Sequence, residues 1–138
     1  MHRITGRCLG TSILVLCLFC WPNSTKTLVF AAEDAQTVKL IIDYGDGVEK
    51  HFPQLKWAAK ITVFELMQQA SQHPRGIQFK HQGRGSTVLL TQIDELKNQG
   101  GTAQNWIYRV NQKLGNRSIG IQELKPGDTI LWKFEPYQ

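Results

Sequence analysis

The sequence predicts an α+β domain in which a mixed β-sheet packs on one α-helix. Three observations predict it. Short β-branched segments near both ends of the folded region alternate apolar and polar residues. One central stretch carries the 3.6-residue apolar period of an amphipathic helix. Turn signals built on Gly, Pro, Asn and Asp separate these segments. The 138 residues suit one domain, and 41% hydrophobic with 20% charged residues is ordinary for a folded globular chain.

The first strand is expected over Thr37 to Tyr44, TVKLIIDY. Val38, Leu40, Ile42 and Tyr44 point one way, and Lys39, Ile41 and Asp43 the other. Gly45-Asp46-Gly47 closes a hairpin, and Val48 to Leu55 returns as a second strand. Pro53 places that strand at an edge or bends it, because proline has no amide to give a ladder. In ITVFELMQQASQH, Thr62 followed by Glu65 is a capping box, and Val63, Leu66, Met67 and Ala70 make one apolar stripe. His73-Pro74-Arg75-Gly76 ends the helix. Ile77 to Lys80 and Ser86 to Ile93 are strand candidates separated by a flexible HQGRG, and Asp94 to Ala103 reads as loop. Asn105 to Asn111 is a strand, followed by a loop-rich return with Gly115, Asn116 and Gly120. Lys125-Pro126-Gly127-Asp128 is a type II turn, and Thr129 to Phe134 is the last strand. Two strands, a helix, then several strands give a β-grasp-like order, with the sheet wrapping one helix.

Alternation then sorts the aromatic residues. Trp106, Tyr108 and Val110 share a face, as do Ile130, Trp132 and Phe134. Joined to Val38, Leu40 and Ile42, they form an apolar face that needs the helix as its lid. The Trp residues are therefore assigned to core. Rim positions are expected for them, since a buried indole still needs a partner for its N–H. The opposite face offers Ile41, Ile107, Arg109, Leu131 and Lys133 as a candidate interaction face, with aliphatic residues ringed by charges. The competing reading is that branched side chains favour strands even when exposed.

Residues 1–31 read as a signal peptide, and residues 36–136 as the domain. Arg3 and Arg7 precede an apolar run from Ile13 to Trp21, and cleavage after Ala31 puts Val29 and Ala31 at the positions that favour small or short side chains. The run is short for a retained membrane anchor, which needs about 20 residues. The expected product is secreted or extracytoplasmic, with no stable membrane insertion. All three cysteines, Cys8, Cys17 and Cys20, fall in this leader, so the mature chain would have no disulfide and no thiolate. Removing Arg3, Arg7 and Lys26 reduces the formal charge from +5 to about +2. With no Lys/Arg run, nucleic acid is not an expected partner.

Catalytic and metal patterns are not evident. Asp43, Asp46 and Glu49 lack the spacing of a calcium loop and are explained by turn formation. His51, His73 and His81 lack metal-ligand spacing. Gly83-Arg84-Gly85-Ser86 carries only part of a phosphate-loop pattern, and Ser86 has no Ser-His-Asp setting. The expected protein is not an enzyme and has no assigned catalytic, cofactor or metal residue.

VKLIIDYGDG, ITVFELMQQA, TQIDELKNQGG, NWIYRVN and ELKPGDTILWKF resemble the DUF4430 family, itself similar to the C-terminal domain of transcobalamin and intrinsic factor. The likeness spans about Thr37 to Phe134. It implies a β-grasp-like fold and a module that caps cobalamin, held in the carriers mainly by a larger helical domain. The family usually has Gly at the positions of Glu95 and Gln112, the second in a tight turn that requires positive φ. The expected function is a secreted non-catalytic binding or interaction module of this cap type, with an unknown protein or small-molecule ligand. Corrinoid binding beside a separate partner protein and a structural role at the cell surface are the alternatives.

Overall fold

The structure, a computed structural model, describes residues 36–137. The expected leader and its cysteines lie outside them. The strands are β1 (Thr37–Asp43), β2 (Glu49–Lys56), β3 (Phe79–Gln82), β4 (Leu89–Ile93), β5 (Leu96–Lys97), β6 (Gln104–Val110), β7 (Lys113–Leu114) and β8 (Thr129–Pro136), with one helix, α1 (Val63–Gln72), between β2 and β3. A five-stranded sheet has the order β2-β1-β8-β6-β7, and a three-stranded sheet has the order β3-β4-β5. β1 and β8 are parallel, and every other pair is antiparallel. The architecture is mixed α+β, mostly strand, with one helix.

The local signals act as the sequence predicts. The Thr62 hydroxyl accepts the Glu65 amide at 3.3 Å, while Glu65 Oε2 accepts the Thr62 amide at 2.8 Å, so two amides at the start of α1 are satisfied. Val63, Leu66, Met67 and Ala70 are all buried. β2 is an edge strand, and the β1–β2 register shifts between Val38 and Leu40, close to Pro53. Gly127 has φ +83°, and the Asp128 amide donates to the Lys125 carbonyl at 3.2 Å, as a type II turn requires. Gly45, at φ +78°, lies so close to the Phe134 carbonyl that a Cβ would collide with it.

Three expectations are corrected. The strands form two sheets rather than one. The reason is visible at Asn98, whose Oδ1 accepts the Trp106 amide at 2.9 Å and whose Nδ2 donates to the Leu90 carbonyl at 2.8 Å. A side chain, rather than a backbone ladder, joins β4 to β6 here. Second, the third strand includes His81 and Gln82 of the expected flexible segment, and a 3₁₀ turn at Gly85–Thr87 delays β4 to Leu89. Third, the expected loop from Asp94 to Ala103 contains β5, which the turn at Asp94 folds back onto β4.

The inner face of the large sheet is the core. Val38, Leu40, Ile42, Trp106, Tyr108, Ile130, Trp132 and Phe134 are buried with the stripe of α1. Trp106 donates its indole N–H to the Leu96 carbonyl at 2.8 Å, and Tyr108 its hydroxyl to the Arg117 carbonyl at 2.5 Å. Trp132 departs from the rim expectation: it is 2% exposed, and its indole N–H has no partner among the described residues. Among the described residues, no helix is long and apolar enough to cross a membrane.

Candidate functional site

The outer face of the large sheet is an ordered ladder. Ile41 lies beside Leu131, which lies beside Arg109; Asp43 lies beside Lys133, which lies beside Ile107. All five residues expected on the interaction face are therefore brought together, and all five are half-buried rather than fully exposed. Their charges are matched locally. Lys133 Nζ is 3.2 Å from Asp43 Oδ2, and Arg109 Nη2 is 2.5 Å from Glu135 Oε1. Ile41 lies on β1, Leu131 and Lys133 on β8, and Ile107 and Arg109 on β6, the strand next to the smaller sheet's groove.

Ile107 forms part of an open groove of about 650 Å³ between β6 and the smaller sheet. Leu89 and Thr91 of β4, Gln82 of β3, Lys97 of β5, the Gln99–Gly101 loop, the edge of the buried Trp106 and Tyr137 also line it. Leu89 is 54% exposed and Tyr137 56%. Leu89 faces out because its neighbour Leu90 is committed to the core. A smaller hollow of about 120 Å³ continues past Ile107 to Arg109, Leu114 and Glu135, with Tyr137 shared by both. Together these residues make an apolar trough with a charged end.

The loop wall is held in place. The Gly100 amide donates to Asn105 Oδ1 at 2.9 Å, and Asn105 Nδ2 donates to the carbonyls of Ala103 at 2.7 Å and Gly101 at 3.2 Å. Gly100 and Gly101 have φ of +81° and +53°, a conformation that other residues reach only with strain. The side-chain amides of Asn98 and Asn105 are consumed in shaping the groove. Gln82, Thr91, Lys97 and the Tyr137 hydroxyl remain to contact a ligand, so the arrangement offers apolar contact and a few polar anchors.

A polar joint lies apart from the groove lining. Tyr44 donates to Asp94 Oδ2 at 2.5 Å, Lys50 Nζ approaches the same oxygen at 3.4 Å, and the Gln78 amide donates to Asp94 Oδ1 at 2.8 Å. Burial opposes the Asp94 charge, but the bonds from Tyr44 and Gln78 and the Lys50 charge outweigh it and hold the carboxyl below its usual range. Burial, reinforced by the bond to Asp94, raises the Tyr44 hydroxyl. These groups are occupied with one another, and they connect β1 and β2 to the β4–β5 turn.

His51, His73 and His81 each engage a different neighbour. His51 pairs with Glu49 at 2.6 Å, His73 packs edge-on against Phe52 and His81 against Phe64. Asp43 and Asp46 accept the amides of Gly45 and Val48 at 2.8 and 3.0 Å, the turn role the sequence indicates. Among the described residues, no three His, Cys, Asp or Glu side chains gather as a metal site. Leu89, Lys97, Leu114 and Tyr137 were not legible as site residues. Alternation beside Leu90 marks Leu89 as outward-facing, but nothing local ties it to Ile107 or Tyr137.

Comparison with the curated proteins finds no match. Among solved structures, the chain is similar to a protein from Ruminococcus gnavus ATCC 29149 described as a "putative metal binding protein". The two share 16% identity at a TM-score of 0.60, over 75% of this chain and 99% of that one. At that identity the likeness is one of fold. A family model described as "Domain of unknown function (DUF4430)" matches residues 61–136, from the residue before the Thr62 cap to the end of β8. The first hairpin precedes the matched span, although its strands complete the same sheet. The match covers more than half of the chain, which therefore belongs to the DUF4430 family.

Proposed function

We propose that the protein is an exported, non-catalytic binding module that takes its ligand in the groove between β4 and β6. The observation that carries this reading is the convergence of Leu89 from β4, Ile107 from β6 and Tyr137 just past β8 around about 650 Å³ of open space. Exposed apolar side chains scattered singly need no explanation, but three lining one concavity suit a ligand with an apolar face. The titratable groups with the clearest roles, Tyr44 and Asp94, are spent on joining the sheets, which supports binding over catalysis. The charged and apolar pattern of residues 1–31 supports export.

The second reading is corrinoid capping in a β-grasp-like module, favoured by the resemblance to the cobalamin carriers. The groove suits a cap better than a complete site. It is open, no imidazole lines it among the described residues, and its Asn98 and Asn105 amides are already bonded within the protein. It would cover one face of a corrinoid held elsewhere, by a separate protein. Metal binding is not carried over from the Ruminococcus gnavus protein, because the described residues gather no ligand set.

The test is a melting-temperature screen of a fragment library that includes cyanocobalamin. Binding to the folded state raises the melting temperature, by an amount that grows with the logarithm of ligand concentration over Kd. Fragments that stabilise the protein but not Leu89→Ser or Ile107→Thr support the groove. Fragments that stabilise both variants as well as the parent place the site elsewhere. For the corrinoid reading, a visible-spectrum change of cyanocobalamin that Ile107→Thr abolishes is the expected result.

A further inference from the structure

The outer edge of β2 is not used by the proposed groove. Among the described residues, β2 pairs only with β1. The Tyr44 amide donates to the Val48 carbonyl at 3.0 Å, Ile42 lies opposite Lys50 and Leu40 opposite Phe52. The Lys39 amide turns the other way, to the Asp128 carbonyl at 2.9 Å. Even-numbered residues of β1 therefore bond to β2, and Lys50 and Phe52 bond back. By alternation, Glu49 and His51 direct their amides and carbonyls away from the sheet. Among the described residues, no backbone group reaches them.

The far side of the same sheet is treated differently. On β6 the Trp106 amide is taken by Asn98, the Gln104 carbonyl by the Gln99 amide at 3.0 Å, and the Tyr108 carbonyl by the Gly115 amide at 2.9 Å. Among the described residues, the chain closes that edge itself and leaves β2 open from Glu49 to Pro53. An open strand edge is a template for another strand.

Beside the open edge lies a groove of about 590 Å³ between β2 and the end of α1. Phe52 and Leu55 line it, with Lys50, His73 and Arg75. Lys50 is shared with Asp94, whereas Arg75 has no carboxylate partner among the described residues. A strand added to the edge would send alternate side chains toward this groove. Its lining, with two cations and a single carboxylate at Glu49, favours carboxylates there. A second copy paired through the same edge would instead bring Lys50 and Arg75 toward their own equivalents.

We propose that the β2 edge receives an extended acidic segment of a partner protein by strand addition, with its carboxylates toward Arg75 and Lys50. The probe is a labelled peptide of alternating Thr and Glu, compared with one of alternating Thr and Lys by fluorescence anisotropy. Saturable binding of the Glu peptide is expected, with slowed amide exchange at Glu49 and His51. Arg75→Glu should weaken it by about tenfold or more, as charge reversal at a docking surface does. His51→Pro removes the outward amide at an edge position where proline is tolerated, and should also weaken it. Leu89→Ser should leave it unchanged, which separates this surface from the ligand groove. If His51→Pro fails to fold, Arg75→Glu still decides. Equal binding of both peptides, binding indifferent to Arg75→Glu, no binding at millimolar peptide, or a self-associated dimer that His51→Pro dissolves would each overturn the proposal.

Discussion

Tyr44 and Asp94 are fifty residues apart in the chain and 2.5 Å apart in the fold, with the phenol donating to the carboxylate. The bond fastens the end of the first strand to the turn of the smaller sheet. Trp106, edge-on to Tyr44 with ring centres 5.8 Å apart, packs into the same joint. Tyr44→Phe should cost about 1–2 kcal/mol, the range for a partly exposed hydrogen bond to a charged group. Urea unfolding of the two proteins at pH 7 measures it.

The same joint sets a pH dependence. The folded Asp94 carboxyl lies below its unfolded value of about 3.9. Its contribution is present above that value and lost as pH falls through the folded one. Tyr44 is shifted upward, so its contribution is present below about pH 10 and lost as the phenol ionises in the folded protein. Unfolding free energies from pH 7 down to pH 2 should converge for the parent and Asp94→Asn. A constant gap between them would show that the carboxylate charge has no part in the joint.

The β6–β7 turn offers a stabilising change. Asn111 and Gln112 have φ of +49° and +68°, and Val110 lies opposite Lys113, a two-residue hairpin with both central residues left-handed. Asn tolerates that region and Gln does so less well. Gln112→Gly should raise stability by about 1 kcal/mol, read from thermal melts. A lower melting temperature would mean that the Gln112 side chain contributes more than its backbone strain costs.

The core assignment predicts a large loss. Trp132→Ala should cost about 3–5 kcal/mol, since the ring is buried against Tyr108 with centres 5.2 Å apart. Ile107→Ala, on the half-buried outer face, should cost about 1 kcal/mol. Denaturation midpoints compare the two directly.

What the sequence reveals depends on how local the cause is. The strands β1, β6 and β8, the cap at Thr62 and the edge character of β2 follow from neighbours within a few residues, and each appears where expected. The second sheet does not, because its separation rests on Asn98 bonding to Leu90 and Trp106, each eight residues away and on different strands. The outer face is half legible. Alternation puts Ile41, Ile107, Arg109, Leu131 and Lys133 on one side, but their partial burial and ion pairing come from cross-strand neighbours. The groove is least legible, since Leu89, Ile107 and Tyr137 meet only after both sheets form.

The central claim is that the aromatic inner face is core and the trough at Leu89 and Ile107 is the binding surface. Methyl-resolved nuclear magnetic resonance, with the fragment library added in pools, tests both halves in one measurement. Hits should shift the Leu89 and Ile107 methyls and leave those of Leu40, Ile42 and Ile130 in place. Hits that shift the core methyls and spare Leu89 and Ile107 would contradict it.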